Sequence, residues 1–360
     1  MPDPGVDLAI IGAGVIGAAA FARLSRPGRS VLLLERRPKI GGEITERNSG
    51  VVHAGLWYPP TSLKTRLSVE GNRLLYAFAQ RQGVPHARLG KLVVATTEDE
   101  EAALHDVRRH GMNVGVPGLA LKTQAELARL EPDASGRAAL WVPSTGIVDP
   151  YELTAALVAQ GTAAGGEVIT SAALEGAERD GEGWLLRTGR GPIRAAAVVN
   201  AAGLYADQVS RIFGVDTYVI HPCRGDYYTL RSARRFKHLI YPVKKKGAPG
   251  LGIHLTLDLA GRMRLGPDAT YVEAKDDYAG GGGKEAEFAA AASRILGPIA
   301  PQEIAYESSG IRPKLRARYE AEEKDFVVSR DVAGLINLVG IESPGLTSAL
   351  AIAALVESLL

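Results

Sequence analysis

The sequence predicts an α/β fold: a Rossmann-type nucleotide-binding domain with a mostly parallel sheet, joined to a β-rich antiparallel domain and discontinuous in sequence. Three observations predict it. The apolar run Val6-Asp7-Leu8-Ala9-Ile10-Ile11 ends in the turn Gly12-Ala13-Gly14-Val15-Ile16-Gly17. Two later apolar runs, residues 197–203 and 335–339, read as further strands of the same buried sheet. Between them, over residues 217–266, short alternating strands and turns replace the helical texture.

The opening reads as strand, glycine turn, helix over 16–24, and a second strand over 30–35, with Pro27-Gly28 as the break. This is a βαβ unit, which implies a parallel sheet covered by helices. Leu63, Leu67, Leu74, Leu75 and Phe78 give residues 63–80 one apolar helical face. A strand is expected at 90–95, helices at 98–110 and 153–164, and strands at 167–170 and 184–188. Strands follow at 227–230, 252–257 and 262–265, then a loop tip at 280–283. A helix is expected to begin near Gly345, with the apolar residues 346–360 too short to span a bilayer.

Composition narrows the function. A net charge of +2, with 46% hydrophobic and 23% charged residues, gives no nucleic-acid signal. Lys244-Lys245-Lys246 and Asp276-Asp277 read as solvated turns. One cysteine excludes an internal disulfide framework and points to a reducing compartment. A cytoplasmic location is expected, with peripheral contact at the inner membrane left open. No CxxC pair, HExxH or close histidine cluster suggests a metal.

The glycine turn carries a cofactor reading. Gly12 allows the tight turn, Gly14 lets the backbone approach a pyrophosphate, and Gly17 lets the helix that opens with Val15 and Ile16 pack on the sheet. Glu35 lies 23 residues beyond Gly12 (35 − 12) and suits ribose hydroxyls. Arg36 and Arg37 follow it and are expected to face solvent, with Arg36 at the edge of the nucleotide site. The turn alone does not separate FAD from NAD.

Beyond Gly41-Gly42 the chain becomes more specific. The run Arg47-Asn48-Ser49-Gly50-Val51-Val52-His53-Ala54-Gly55-Leu56-Trp57-Tyr58-Pro59-Pro60 is followed by Asn200-Ala201-Ala202-Gly203, Gly252-Ile253-His254-Leu255-Thr256, Gly310-Ile311-Arg312-Pro313-Lys314 and Gly340-Ile341-Glu342-Ser343-Pro344-Gly345-Leu346-Thr347. In this order and over essentially the whole chain, these motifs resemble the FAD-dependent L-2-hydroxyglutarate dehydrogenases and oxidases of the D-amino-acid oxidase (glycine oxidase-like) superfamily. One departure is Glu46, which stands after Thr45 where the family places a second small hydroxyl residue.

The resemblance implies FAD as cofactor and a 2-hydroxy acid, foremost L-2-hydroxyglutarate, as substrate, with oxygen or a quinone as electron acceptor. With the texture changes along the chain, this makes residues 1–83, 145–215 and 306–360 the expected FAD-binding domain and 84–144 and 216–305 the expected substrate-binding domain. Arg47, Asn48 and Ser49 are expected along the ribityl-pyrophosphate, Ala202 and Gly203 on its other side, and Gly310, Gly340, Pro344, Gly345, Leu346 and Thr347 at the flavin edge. Arg312 is the candidate for the substrate carboxylate, because a guanidinium binds carboxylate bidentately. His254, expected in mid-strand, and His53 compete as general base. Tyr58, Arg224, Tyr241 and Lys64 are candidates for a distal carboxylate, with Arg224 equally able to bridge Asp226 or Asp207. Oxidation of a small amine or amino acid, and a flavin-carrying electron-transfer subunit, are the alternatives.

Overall fold

The computed structural model describes residues 5–244 and 252–360. The expected βαβ unit forms as strand Val6–Ile11, helix Val15–Leu24 and strand Val31–Leu34, with the two strands parallel. Leu8, Ala9 and Ile10 have no exposed surface, which is why this strand is apolar without alternation. Strand Gly191–Asn200 lies parallel on its other side, with Asn200 opposite Ile11. Glu167–Ile169 and Leu335–Val339 extend the parallel sheet at its two sides. Leu174–Asp180 and Gly183–Thr188 form an antiparallel hairpin on the long strand.

Helices Val15–Leu24, Leu63–Gln82, Pro150–Ala163 and Gly345–Leu359 pack against one another beside this sheet. Close approach needs glycine here. A Cβ on Gly71 would lie 2.3 Å from the Thr347 carbonyl oxygen, and one on Gly161 2.4 Å from the Phe21 ring. The helix expected from 153 starts at Pro150 because the Asp149 carboxylate accepts from the N–H of Tyr151 and Glu152. The C-terminal apolar run is the core helix that was expected, with Ile352 and Val356 fully buried. No helix among the described residues is long and apolar enough to cross a membrane.

The second sheet is largely antiparallel and holds His221–Leu230, Ile304–Lys314, Met263–Leu265, Leu255–Leu257, Leu239–Pro242, Lys91–Ala95 and Ala138–Val142. Helix Glu285–Leu296 covers it through Phe288 and Ile295. Ile304–Lys314, the strand of Gly310 and Arg312, pairs along its length with His221–Leu230. A small three-stranded sheet (Val51–Val52, Gly146–Val148, His86–Ala87) lies apart from both.

Three expectations change. Residues 252–254 precede strand Leu255–Leu257 instead of belonging to it, so His254 sits in the approach to the strand. Asp277 is not a freely solvated loop residue, because its carboxylate lies 2.9 Å from Arg224. Lys244 is half-buried against the Tyr58 ring instead of solvated, while Lys245 and Lys246 lie outside the described residues.

Candidate active site

One long cavity of about 400 Å³ runs from the opening glycine turn to the second sheet. Its first end is built by the βαβ unit. Gly12 has φ +103°, and a Cβ there would sit 2.6 Å from the Ala201 carbonyl oxygen. Gly17 does not line the cavity; a Cβ on it would lie 1.8 Å from the Gly12 carbonyl oxygen, so its role is helix-to-turn packing. The helix opens at Gly14 with no side-chain cap. Its first turn therefore presents N–H groups to the cavity, and Thr45 Oγ1 satisfies one of them by accepting from Val15 N at 3.0 Å.

Glu35 directly follows the second strand and lines the cavity, accepting from Ala13 N (2.9 Å) and Arg37 N (2.8 Å). Its carboxylate is thereby fixed, with lone pairs left for hydroxyl donors. Arg36 is not simply solvent-facing: its guanidinium lies 3.6 Å over the Tyr205 ring and pairs with Glu43. Glu46 turns to Lys39 at 2.8 Å, which removes its charge from the cavity wall and resolves the departure noted at that position.

Asn48 clamps its own turn. Its Nδ2 donates to the Ile44 and Thr45 carbonyls, and its Oδ1 accepts from Gly50 N. Arg47 stacks 4.2 Å from the Tyr278 ring, and a Cβ on Gly310 would meet the Arg47 carbonyl oxygen at 2.3 Å. Opposite, buried Asn200 donates to Ala206 O and Asn337 Oδ1 and accepts from Ala202 N, which sets the turn of Ala202 and Gly203. Pro344, Gly345 and Leu346 line the cavity at the start of a second helix without a side-chain cap. Two expected contacts are absent. Thr347 is buried behind, where Oγ1 accepts from His53 N, and Gly340 (φ +69°) faces Leu315.

At the far end, His254, Tyr241, Arg312, Tyr58, Lys244 and His53 share the cavity wall. His254 Nδ1 lies 2.7 Å from the Gly252 carbonyl oxygen. A carbonyl only accepts, so Nδ1 carries the proton and Nε2 keeps its lone pair. The ring stacks on Tyr241, with centroids 3.8 Å apart. Burial, partly offset by the Gly252 carbonyl, drops the His254 pKa to about 3; burial and the Lys91 charge do the same for His53. The Tyr241 hydroxyl is buried with no hydrogen-bond partner among the described residues, and burial raises its pKa.

Arg312 donates to the Asp268 carbonyl at 2.9 Å and meets Cys223 Sγ at 3.9 Å, with no carboxylate partner among the described residues. Two substrate-binding candidates fail. Arg224 lies outside the cavity, held by Asp277 (2.9 Å) and Asp226 (3.6 Å), so it is the structural bridge already weighed for it. Lys64 is buried against Glu342 at 3.0 Å.

The sequence reading missed Thr45, Lys91, Lys244 and the Lys314–Glu342 pair. Lys314 had a signal, since it lies two residues after Arg312 on one strand and so on the same face. Burial raises the Glu342 carboxyl, but Lys64 and Lys314 outweigh that and hold it at about 2. Lys91 was assigned no role. Its amine is buried 4.8 Å from the Tyr241 ring, where desolvation brings its pKa to about 7.

Two uncapped helix N-termini facing one elongated cavity, an acid at the ribose position and an orphaned Tyr241 hydroxyl fit an extended dinucleotide with an anionic middle. With a histidine and an arginine at the other end, the site is that of an FAD-dependent oxidoreductase. Residues 7–359 match the family described as DAO, FAD dependent oxidoreductase, and the chain belongs to that family.

Its relatives include the mitochondrial L-2-hydroxyglutarate dehydrogenase of Arabidopsis thaliana, 34% identical over 97% of this chain and 82% of the relative. The human mitochondrial L-2-hydroxyglutarate dehydrogenase is 34% identical over 76% of this chain, an alignment that covers 62% of the human protein. A glycerol 3-phosphate dehydrogenase of Caloramator mitchellensis is 32% identical over 98% of this chain and 73% of its own. Among solved structures, L-alpha-glycerophosphate oxidase from Mycoplasma pneumoniae with FAD bound shares the fold at TM-score 0.90 and 22% identity, over 99% of this chain and 95% of that one. Glycine oxidase from Geobacillus kaustophilus does so at 0.83 and 22%, over 98% and 94%.

Proposed function

We propose that the protein oxidises L-2-hydroxyglutarate to 2-oxoglutarate. The observation that carries this reading is the presence, on one cavity wall, of Arg312 without a carboxylate partner among the described residues and of His254 held in its Nδ1–H tautomer. Bound FAD supplies the two-electron acceptor. Arg312 holds the α-carboxylate through its fork of N–H donors, which orients the adjacent C–H and hydroxyl. His254 Nε2 takes the hydroxyl proton, and the neutral ring needs no prior deprotonation at physiological pH. His53 is placed differently. Its backbone N–H and carbonyl are engaged by Thr347 and Asn72, and its Nε2 lies 3.3 Å from Ser343 Oγ, so it shapes the wall beside the second helix start. Tyr241, stacked on His254, offers its unpartnered hydroxyl to the cofactor or substrate.

The names of the L-2-hydroxyglutarate dehydrogenase relatives support this substrate, and the Caloramator relative makes glycerol 3-phosphate its direct competitor. Anaerobic mixing of the FAD-loaded protein with a panel of substrates tests the reading. L-2-Hydroxyglutarate is expected to bleach the flavin fastest and to yield 2-oxoglutarate. Faster bleaching by glycerol 3-phosphate, or ammonia release from an amino acid, overturns it. Reoxidation of the bleached enzyme by dissolved oxygen against a soluble quinone then identifies the electron acceptor.

A further inference from the structure

We propose that Lys244, held beside Tyr58, forms an anion subsite for the end of the substrate remote from Arg312, and so selects substrates with a second anionic group. This deepens the functional reading above and rests on it for the placement of Arg312 on the first carboxylate.

The cavity wall around Lys244 is rich in charge, and the neighbouring carboxylates are each matched among the described residues. Glu342 lies 3.0 Å from Lys64 and 3.1 Å from Lys314. Glu323 lies 3.1 Å from Arg316 and 3.9 Å from Lys314. Asp325 accepts from the N–H groups of Leu63 and Lys64 at a helix start. Lys244 adds a further cation to this group, yet it forms no ion pair and no hydrogen bond among the described residues. Its Nζ lies 5.5 Å from the centre of the Tyr58 ring. That ring is pinned, because the Tyr58 hydroxyl donates to the Ser343 carbonyl at 3.1 Å, and Lys64 Nζ flanks it at 4.9 Å.

A partly desolvated ammonium without a direct ion pair is costly, and burial disfavours its charged form, which the more distant Glu323 only partly offsets. An anionic group entering the cavity would remove that cost. Arg312, on the same wall, likewise has no carboxylate partner among the described residues. Two cations without a carboxylate partner among the described residues, on the cavity wall that also holds neutral His254, match a substrate with an anion at each end of an oxidisable CH–OH. A carboxylate tail and a phosphate tail share this chemistry, and the experiment separates them.

FAD-loaded wild type, Lys244→Met and Lys244→Gln are mixed anaerobically with L-2-hydroxyglutarate, L-2-hydroxybutyrate, glycerol 3-phosphate and glycerol. The ratio of flavin-reduction efficiency for L-2-hydroxyglutarate over L-2-hydroxybutyrate is expected to fall by roughly 10-fold to 10²-fold in both variants, the worth of one charge-assisted contact. An unchanged ratio overturns the proposal, whatever happens to the absolute rates. Should wild type respond only to glycerol 3-phosphate, the functional reading fails while the subsite survives, provided the variants lose discrimination over glycerol. Should no substrate bleach the flavin, perturbation of the flavin spectrum by glutarate against butyrate decides. Glutarate affinity that is equal in wild type and variants overturns the subsite. Retained FAD and thermal midpoint show that each variant is folded, and Gln replaces Met where Met fails this check.

Discussion

His254 shows how much chemistry one hydrogen bond decides. The motif around it singled the residue out, but its protonation state depends on the carbonyl of Gly252, two residues earlier, in a segment expected to be strand. Had residues 252–254 been regular strand, that carbonyl would have pointed along the ladder and away from its own i+2 side chain. That tautomer is the ground on which we propose His254 over His53 as base, a choice the spacing left open. His254→Ala is expected to retain FAD and to slow anaerobic flavin reduction by roughly 10²–10⁴-fold. A variant that reduces at the wild-type rate moves the role elsewhere. Because burial places the His254 pKa at about 3, the ring stays neutral well below the ordinary imidazole range. The rate of flavin reduction should consequently show no acid limb between pH 8 and about 5.5. A fall centred between pH 6 and 7 would contradict a buried, neutral base.

Lys91 makes the complementary point, since nothing in Gly90-Lys91-Leu92-Val93-Val94-Ala95 distinguishes it from an outward-facing lysine on a strand edge. Instead the strand is buried on both faces, and its amine lies between the Tyr241 and Trp57 rings. A pKa of about 7 in the folded protein, against about 10.4 unfolded, means that the unfolded chain binds more protons between these values. Stability from this site therefore rises with pH across that window, and its penalty is complete below about pH 7. Lys91→Met should raise the thermal midpoint, and by more at pH 6 than at pH 9. An equal gain at both would place the amine in a solvated environment.

Elements were legible where their pattern is local. The opening βαβ unit declares itself by a continuous apolar strand, a glycine turn and an acid at fixed distance, and each appears where expected. The second sheet was legible only in outline and the small sheet not at all, because strands as short as Val51–Val52 and Thr270–Tyr271 exist through partners far away in sequence. The strand Ile304–Lys314 carries both lessons. Its alternation brings Arg312 and Lys314 to one face, yet the partner of Lys314, Glu342, lies in the turn before the last helix. Glu342→Gln would leave Lys64 buried without a carboxylate and Lys314 with only Glu323 at 3.9 Å, at a cost of about 3–5 kcal/mol, read by denaturant or thermal unfolding. The sign with pH follows from the lowered carboxyl. Glu342 stabilises the fold above about pH 4.5, and its contribution disappears as pH falls from there toward 2, so the variant should lose less stability than wild type over that interval. On the opposite side, Gly17→Val must drive the first helix away from the Gly12 carbonyl. It is expected to yield colourless protein with the second sheet intact.

At the scale of the molecule, neither sheet makes the cavity alone. Gly12, Gly14, Glu35 and Ala202 come from the ends of the parallel sheet, while Gly310, Arg312 and Tyr241 come from strands of the second sheet. A cofactor lying along the whole cavity is therefore expected to act as a structural tie as well as a reagent, because a ligand that touches both sheets stabilises both against opening. Linkage sets the size of the effect: at a thousandfold excess over Kd, FAD contributes about 4 kcal/mol to the native state and none to the unfolded chain. Hydrogen exchange on FAD-loaded and FAD-stripped protein distinguishes a tie from a one-sided guest. Loading is expected to slow exchange at residues 12–17 and 340–346, where the two uncapped helix starts lie, and equally at strand Ile304–Lys314 and around Tyr241. Protection confined to the parallel sheet would mean that the second sheet closes over the flavin without being held by it. The substrate, bound between Arg312 and Lys244, would then become the group that fastens the two sheets together.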